Sequence, residues 1–421
     1  MGPRRVGKTV MLHQAIQKLI DDGVSRQSIL YVSLDTPIYV GLSLDRLLGF
    51  FIERHGHSRD GRLFVFFDEI QYLKDWEVHL KSLVDSHPNI RLVASGSAAA
   101  ALRLRSNESG AGRFTDFLLP PLTFAEYIAF VSHGGAEPVY LPKLKKREQL
   151  NREEIDDLNR HFVDYCNFGG FPEAVRSLPL RQNPQRFIGS DIVDKVLLRD
   201  LPSLYGIDNT QELNRLFSML AYNTGNEVNL ESLAQKSGVA KNTLRRYIEY
   251  LEAAFLIRCL HRVDHTGRRF KRATSFKVYL TNPSLRTALF GPVGADDEAM
   301  GHLAETAVFC QWLHTVWVSD IAYARWAHGE VDFVFNHPAF TSKLLSAIEV
   351  KWSDRANVIE LKRRFRTLHD FANLEQMEVL TRSVHAGKDL TDEEITLLPV
   401  AAHCYTTVEL IDVDALSWGA A

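Results

Sequence analysis

The apolar positions of this chain change period as it runs, and the changes mark its elements. Residues 9–22 (TVMLHQAIQKLIDD) carry apolar side chains three and four apart, which predicts an amphipathic helix, and residues 29–34 (ILYVSL) form an apolar run of strand length. A helix is predicted at about 43–55. Residues 63–67 (LFVFF) are apolar at every position, the pattern of a parallel strand covered on both faces. Residues 76–86 predict another helix, 91–94 a strand running into Ser95, Gly96 and Ser97, and 113–119 one more strand. Strand and helix in alternation predict a doubly covered parallel sheet.

Beyond residue 131 the pattern changes. Residues 132–150 are rich in Gly, Pro and Lys and read as a linker, and helices then dominate to about residue 260. Residues 230–251 (LESLAQKSGVAKNTLRRYIEYL) predict two helices around a turn at Ser237 and Gly238. Leu233, Ala234, Val239, Leu244 and Ile248 are spaced to pack one helix on the other, as in a helix-turn-helix. A turn at Thr266 and Gly267, followed by Arg268, Arg269, Lys271 and Arg272, predicts a basic β-wing. After residue 276 short strands return, among them 329–335 (GEVDFVF) and 347–351 (AIEVK), with helices near 297–315 and 354–370. The expected division is a parallel-sheet α/β domain at 1–131, a linker and helical region at 132–225, a winged helix at 226–280 and a second α/β domain at 281–421.

Composition narrows the reading. A chain of 421 residues exceeds one hydrophobic core, in keeping with several domains. The net charge of −3 excludes a surface that is basic as a whole, so DNA contact must come from a local patch. Cys166, Cys259, Cys310 and Cys404 are scattered, which argues against a disulfide framework or a zinc site and fits a reducing compartment. The apolar runs fall short of the roughly 20 residues of a membrane helix, and the N-terminus is not a signal peptide. A cytoplasmic protein with no membrane partner is expected.

The candidate chemistry starts at once. Residues 2–9 (GPRRVGKT) fit G-x-x-x-x-G-K-[ST], whose glycines let backbone N–H groups curl around phosphates. Gly2, Arg5, Val6, Gly7, Lys8 and Thr9 are the expected ATP contacts, with Lys8 on the β- and γ-phosphates and Thr9 on Mg²⁺. Asp68 and Glu69 follow the apolar strand, where Asp68 is placed to hold the Mg²⁺ shell and Glu69 to polarise the attacking water. A strand between the two motifs and another after them suits the ATPase class in which an extra strand separates the Walker strands. Ser95 or Ser97 is a candidate sensor of the γ-phosphate, and Arg113 a candidate sensor in cis or towards a neighbouring subunit. Only Met1 precedes Gly2, so the strand that should feed the loop is missing, and a natural start further upstream is expected.

Two further sets carry chemistry. Lys241, Asn242, Thr243, Arg245 and Arg246 open the second helix of the helix-turn-helix and are expected to face DNA, with Arg268 and Arg269 of the wing on phosphates. The alternative is a winged helix used for packing. Asp332, Glu349 and Lys351 match D…E-x-K, and Glu305, in a helix, can add a carboxylate; Glu305, Asp332 and Glu349 are candidate metal ligands, with Glu349 and Lys351 the candidate catalytic pair for phosphodiester cleavage.

The segments GPRRVGKT, FFDEIQYL, ASGS, GRFTDFLLPPLTFAEY, FGGFPEAV, the helix-turn-helix, GEVDFVF and AIEVK together resemble prokaryotic AAA-type ATPases with a C-terminal domain of originally unknown function. The resemblance implies a P-loop ATPase domain, a helical and winged-helix middle, and a terminal domain of the PD-(D/E)XK, restriction-endonuclease-like fold. It sets Gly2, Gly7, Lys8, Thr9, Asp68 and Glu69 on nucleotide positions and Glu305, Asp332, Glu349 and Lys351 on nuclease-like positions. The leading expectation is an ATPase whose nucleotide state gates action on DNA. A non-nuclease switch binding DNA or protein is the runner-up, and an ATPase acting on protein partners or copies of itself the third reading.

Overall fold

In the computed structural model the N-terminal helices and strands fall within a residue or two of the pattern above. The structure describes residues 1–39, 41–58, 61–96, 114–115, 117–133, 135, 137–264, 266–268, 274–327, 329–337, 340–354, 358–372, 374, 376–384 and 395–407. Ser97, Arg113, Arg269, Lys271 and Arg272 lie outside the described residues. The chain divides into two compact units, the first formed by Met1–Pro120, Arg199–Ile207 and Ala253–Phe255 and the second by Pro121–Leu198, Asp208–Glu252 and Leu256–Ala421.

The first unit holds α1 (Lys8–Asp21), β1 (Ile29–Ser33), α2 (Leu44–His55), β2 (Leu63–Asp68), α3 (Trp76–Ser86) and β3 (Ile90–Ala94). Its strands run parallel in the order β1-β2-β3. Val65 and Phe67 of β2 are buried with Leu44 and Leu48 of α2 and Trp76, Leu80 and Leu83 of α3, which is why this strand is apolar throughout. The described residues of 113–119 form no regular strand. Instead the Met1 amino group donates to the Phe117 carbonyl (2.5 Å) and Leu119 N–H donates to the Met1 carbonyl (2.7 Å).

In the second unit, α4 (Phe124–Ser132) and α5 (Arg152–Phe168) each start on a capping box, Thr123 with Glu126 and Asn151 with Glu154. The boundary expected at 131 therefore falls too late, because the apolar face of α4 (Phe124, Tyr127, Ile128) belongs to this unit's core. The stretch read as a linker is also packed: Tyr140, Leu141 and Leu144 are buried there. Leu150 is buried in the same core, and these four apolar side chains anchor the stretch.

The two helices expected around Ser237 and Gly238 are α6 (Leu230–Ser237) and α7 (Lys241–Ala253), joined through Gly238 in a left-handed conformation (φ 71°). Around it lie β4 (Glu227–Asn229), β5 (Ile257–Val263) and β6 (Ser275–Leu280), paired antiparallel as β4-β6 and β6-β5. The turn after β5 is tied by Asp264, whose carboxylate accepts from Thr266 N–H (2.8 Å), Thr266 Oγ1 (2.6 Å) and Arg268 N–H (3.1 Å).

There follow α8 (Ala299–Trp312), β7 (Ile321–Trp326), β8 (Gly329–His337), β9 (Phe340–Val350), α9 (Val358–Ala372), β10 (Gln376–Thr381), β11 (Ile395–Pro399) and α10 (Val400–Thr406). Among the described residues the sheet order is β11-β10-β9-β8-β7-β5-β6-β4. The division expected at 280 is thus bridged: β5 pairs parallel with β7 at Arg262↔Tyr323 and Val263↔Ala324, so strands on both sides of residue 280 share one sheet. One face of that sheet is buried with α4, α5, α8 and α10, and the other with α9.

Candidate nucleotide site and a buried carboxylate cluster

The phosphate-loop motif and the acid pair meet in the first unit. Thr9 Oγ1, in the first turn of α1, donates to Asp68 Oδ2 at 2.7 Å across 59 residues of sequence. Asp68 ends β2 and is 1% exposed, yet among the described residues every hydrogen-bond donor to its carboxylate is neutral. Besides Thr9 these are Tyr31 OH (3.1 Å), the N–H of Glu69 (3.0 Å) and the Ser95 hydroxyl. Tyr31 reaches it because Tyr31 and Ser33 share a face of β1, and Ser33 pairs with Asp68 in the parallel register. Burial, with the Asp68 charge adding to it, pushes the Tyr31 phenol up to about 12, so it remains a donor.

The loop itself has the geometry that phosphate wrapping requires. Gly7 (φ 99°) and Arg5 (φ 64°) are left-handed, turning successive N–H groups to one side. A Cβ on Gly2 would lie 2.2 Å from the Leu119 carbonyl oxygen, so glycine is obligatory there. Val6 is buried and pins the loop to the unit. The Lys8 ammonium donates to the carbonyls of Gly2 (3.1 Å) and Pro3 (2.5 Å). Burial pushes Lys8 down to about 8, with Glu69 and Asp68 opposing the shift and Arg4 adding to it. Glu69 also has positive φ (55°), and its carboxylate accepts from the Gln71 side-chain amide. A non-glycine residue in this conformation is costly and is held there by its surroundings.

Sequence reasoning missed Tyr31 and a clamp on the loop. Arg4 donates through Nε (2.8 Å) and Nη2 (2.9 Å) to the two oxygens of Asp200, which lies in the Arg199–Ile207 segment of the same unit. The alternating polarity of β1 carried a signal for Tyr31. Nothing local signals Asp200, which is 196 residues from Arg4.

The second constellation departs from its expected form. Among the described residues no group of three or more His, Cys, Asp or Glu side chains is arranged to hold a metal ion. Glu305 and Asp332 do meet, but on an ammonium: Lys277 Nζ lies 3.0 Å from Glu305 Oε1, 2.8 Å from Asp332 Oδ1 and 3.0 Å from Glu330 Oε1. Glu349 instead faces Lys351 Nζ (2.8 Å) and Arg364 Nη1 (3.5 Å). Burial raises Glu305 and Glu349 to about 7, in each case with Asp332 adding to the shift and the neighbouring lysine opposing it. Burial works against the Asp332 charge as well, but Lys277, Lys351 and the Val350 N–H together hold its carboxyl below the ordinary value. Lys277 sits in the basic wing stretch, where sequence reasoning passed over it. The signal was its place two residues before Tyr279 in SFKVYL, on the inward face of an apolar strand.

The expected DNA-facing side chains lie on α7 and the wing. Asn242, Arg245, Arg246 and Arg268 are exposed, Thr243 is half-buried, and Lys241 is paired with Glu231 Oε1 at 2.6 Å. No described helix is long and apolar enough to cross a membrane.

This loop, acid pair and parallel sheet define a class, and the comparisons agree with it: residues 1–128 match the family described as an AAA domain, which supports a P-loop ATPase. Residues 159–296 match a domain of unknown function (DUF8612). An uncharacterised protein of Haemophilus influenzae is 25% identical over 339 residues, 79% of this chain and 78% of that protein. An uncharacterised protein of Methanocaldococcus jannaschii is 25% identical over 340 residues, 79% of this chain and 70% of that protein. A solved structure of a DNA replication initiation factor overlaps 76% of this chain and 72% of its own, at 12% identity and a TM-score of 0.24.

Proposed function

We propose that the chain binds and hydrolyses ATP in its first unit and acts on DNA through its winged helix. The observation that carries the first half is the Thr9–Asp68 hydrogen bond of 2.7 Å, which joins two nucleotide motifs at one edge of a parallel sheet. Lys8 exchanges the loop carbonyls for the β- and γ-phosphates, and the N–H groups of the loop face the same anion. Thr9 and Asp68 hold Mg²⁺, which supplies neutralisation of phosphate charge. Glu69, held by its strained backbone and by Gln71, orients and polarises water. Steady-state ATP hydrolysis and equilibrium nucleotide binding test this reading. Lys8→Ala should abolish both, and a folded wild-type chain that binds no nucleotide sinks it.

The DNA half rests on the exposed Asn242, Arg245 and Arg246 of α7 and on Arg268 of the wing. Duplex affinity that falls steeply with salt supports it. Affinity without salt dependence favours an ATPase that acts on protein partners. In the C-terminal part, the order α8, three strands, α9, strand supports a restriction-endonuclease-like fold.

A further inference from the structure

We infer that Lys277 is the resident cation of the Glu305–Glu330–Asp332 cluster and takes the place a divalent metal would fill in a phosphodiester-cleaving site. An ammonium has three N–H donors and no acceptor. Here three carboxylates, from α8 and from two positions of β8, each present one oxygen to it at 2.8–3.0 Å: Glu305 and Asp332 accept hydrogen bonds from the ammonium, and Glu330 completes the set as an ion pair. Lys277 is 3% exposed and reaches the cluster from β6, within hydrogen-bonding distance of groups on two other elements.

Two of the cluster's oxygens carry further donors. Asp332 Oδ2 accepts the Val350 N–H at 3.0 Å, and Glu305 Oε1 also accepts the Tyr279 hydroxyl at 2.5 Å. Mg²⁺ demands oxygens at roughly 2.0–2.1 Å in octahedral array. To enter, it would have to strip an enclosed ammonium from three carboxylates and leave that ammonium without partners. Glu349, the other expected ligand, gives Oε1 to Lys351 and Arg364, while its buried Oε2 has no hydrogen-bond partner among the described residues. The acids of the D…E-x-K pattern are therefore present and neutralised from within the chain. The cluster ties β6 to β8 and α8, and it performs no metal-dependent cleavage. This conclusion is independent of whether the first unit turns over ATP.

The test is Mn²⁺ binding by the full chain, followed by electron paramagnetic resonance in an Asp68→Asn background so that the nucleotide site contributes nothing. The wild-type cluster should take up no Mn²⁺ at millimolar concentration. Lys277→Met should gain a site at least tenfold tighter, which Glu305→Gln or Asp332→Asn removes again, and Mn²⁺ should raise the melting temperature of Lys277→Met alone. A Mn²⁺ site in the chain with Lys277 intact that is lost in Asp332→Asn overturns the inference. So does a folded Lys277→Met that gains none. Should Lys277→Met not fold, the titration with Lys277 intact decides by itself: an Asp332-dependent site overturns the inference, and its absence upholds it.

Discussion

Asp68 and Asp332 are both buried aspartates, one in each unit, at 1% and 7% exposure, and their surroundings differ in kind. Asp68 is met by three hydroxyls and a backbone N–H, all neutral. Asp332 is met by an ammonium as well as an N–H. Neutral donors satisfy the hydrogen-bonding capacity of a carboxylate and leave its charge for a cation to use. An ammonium satisfies the capacity and cancels the charge together. A buried acid next to a strand end is therefore not in itself a metal site. The nature of its donors decides.

That contrast can be broken or sharpened by measurement. The largest effect belongs to the first unit: Glu69→Gln should lower ATP turnover by about 10²–10⁴-fold, as loss of a general base does, while nucleotide still binds. Unchanged turnover would remove Glu69 from the chemistry. Next come the two acids' partners, compared by chemical unfolding. Lys277→Met strands a buried set of carboxylates and should destabilise the second unit by about 3–5 kcal/mol. Asp68→Asn keeps hydroxyl partners around a neutral group and should alter stability by only about 1 kcal/mol. Similar losses from both would erase the distinction drawn here.

A buried base offers a third comparison. Burial pushes His403 down to about 4; its Nδ1 lies 3.5 Å from Glu378 Oε2, and its Nε2 has no hydrogen-bond partner among the described residues. Because the folded value lies below the unfolded one, the unfolded chain binds the extra proton first as pH falls. The stability due to neutral His403 is complete above about pH 6.5 and is lost towards pH 4, by about 3 kcal/mol in all. Unfolding of wild type and His403→Gln across that window should show the wild type alone losing this increment. The smallest effect is at the winged helix: Arg246→Ala should reduce the salt slope of DNA affinity by about one, as for a single phosphate contact. An unchanged slope removes Arg246 from the interface.

Much of the fold was legible because its signals are local. The all-apolar LFVFF run became β2, buried on both faces, and the GPRRVGKT loop carries its left-handed residues where the motif needs them. The two helices around Gly238 followed from apolar spacing and one turn residue. Domain edges were less legible. Residues 132–150 look like a linker by composition, but Tyr140, Leu141, Leu144 and Leu150 are buried in the unit's core. The edge at 280 failed because a strand's pattern does not reveal its neighbour, and β5 was free to pair with β7 as well as with β6.

The sites divide along the same line. Composition and spacing by themselves determined the phosphate loop, the acid pair that answers it and the acidic residues of the C-terminal strands, since each is a short run whose chemistry lies in its own residues. Tertiary structure alone decided what stands beside them: Tyr31 and Ser95 on Asp68, Asp200 on Arg4, and Lys277 among Glu305, Glu330 and Asp332. Whether a buried charge stays available or is cancelled depends on atoms within about 3 Å of it. Those atoms come from strands and helices tens to hundreds of residues away.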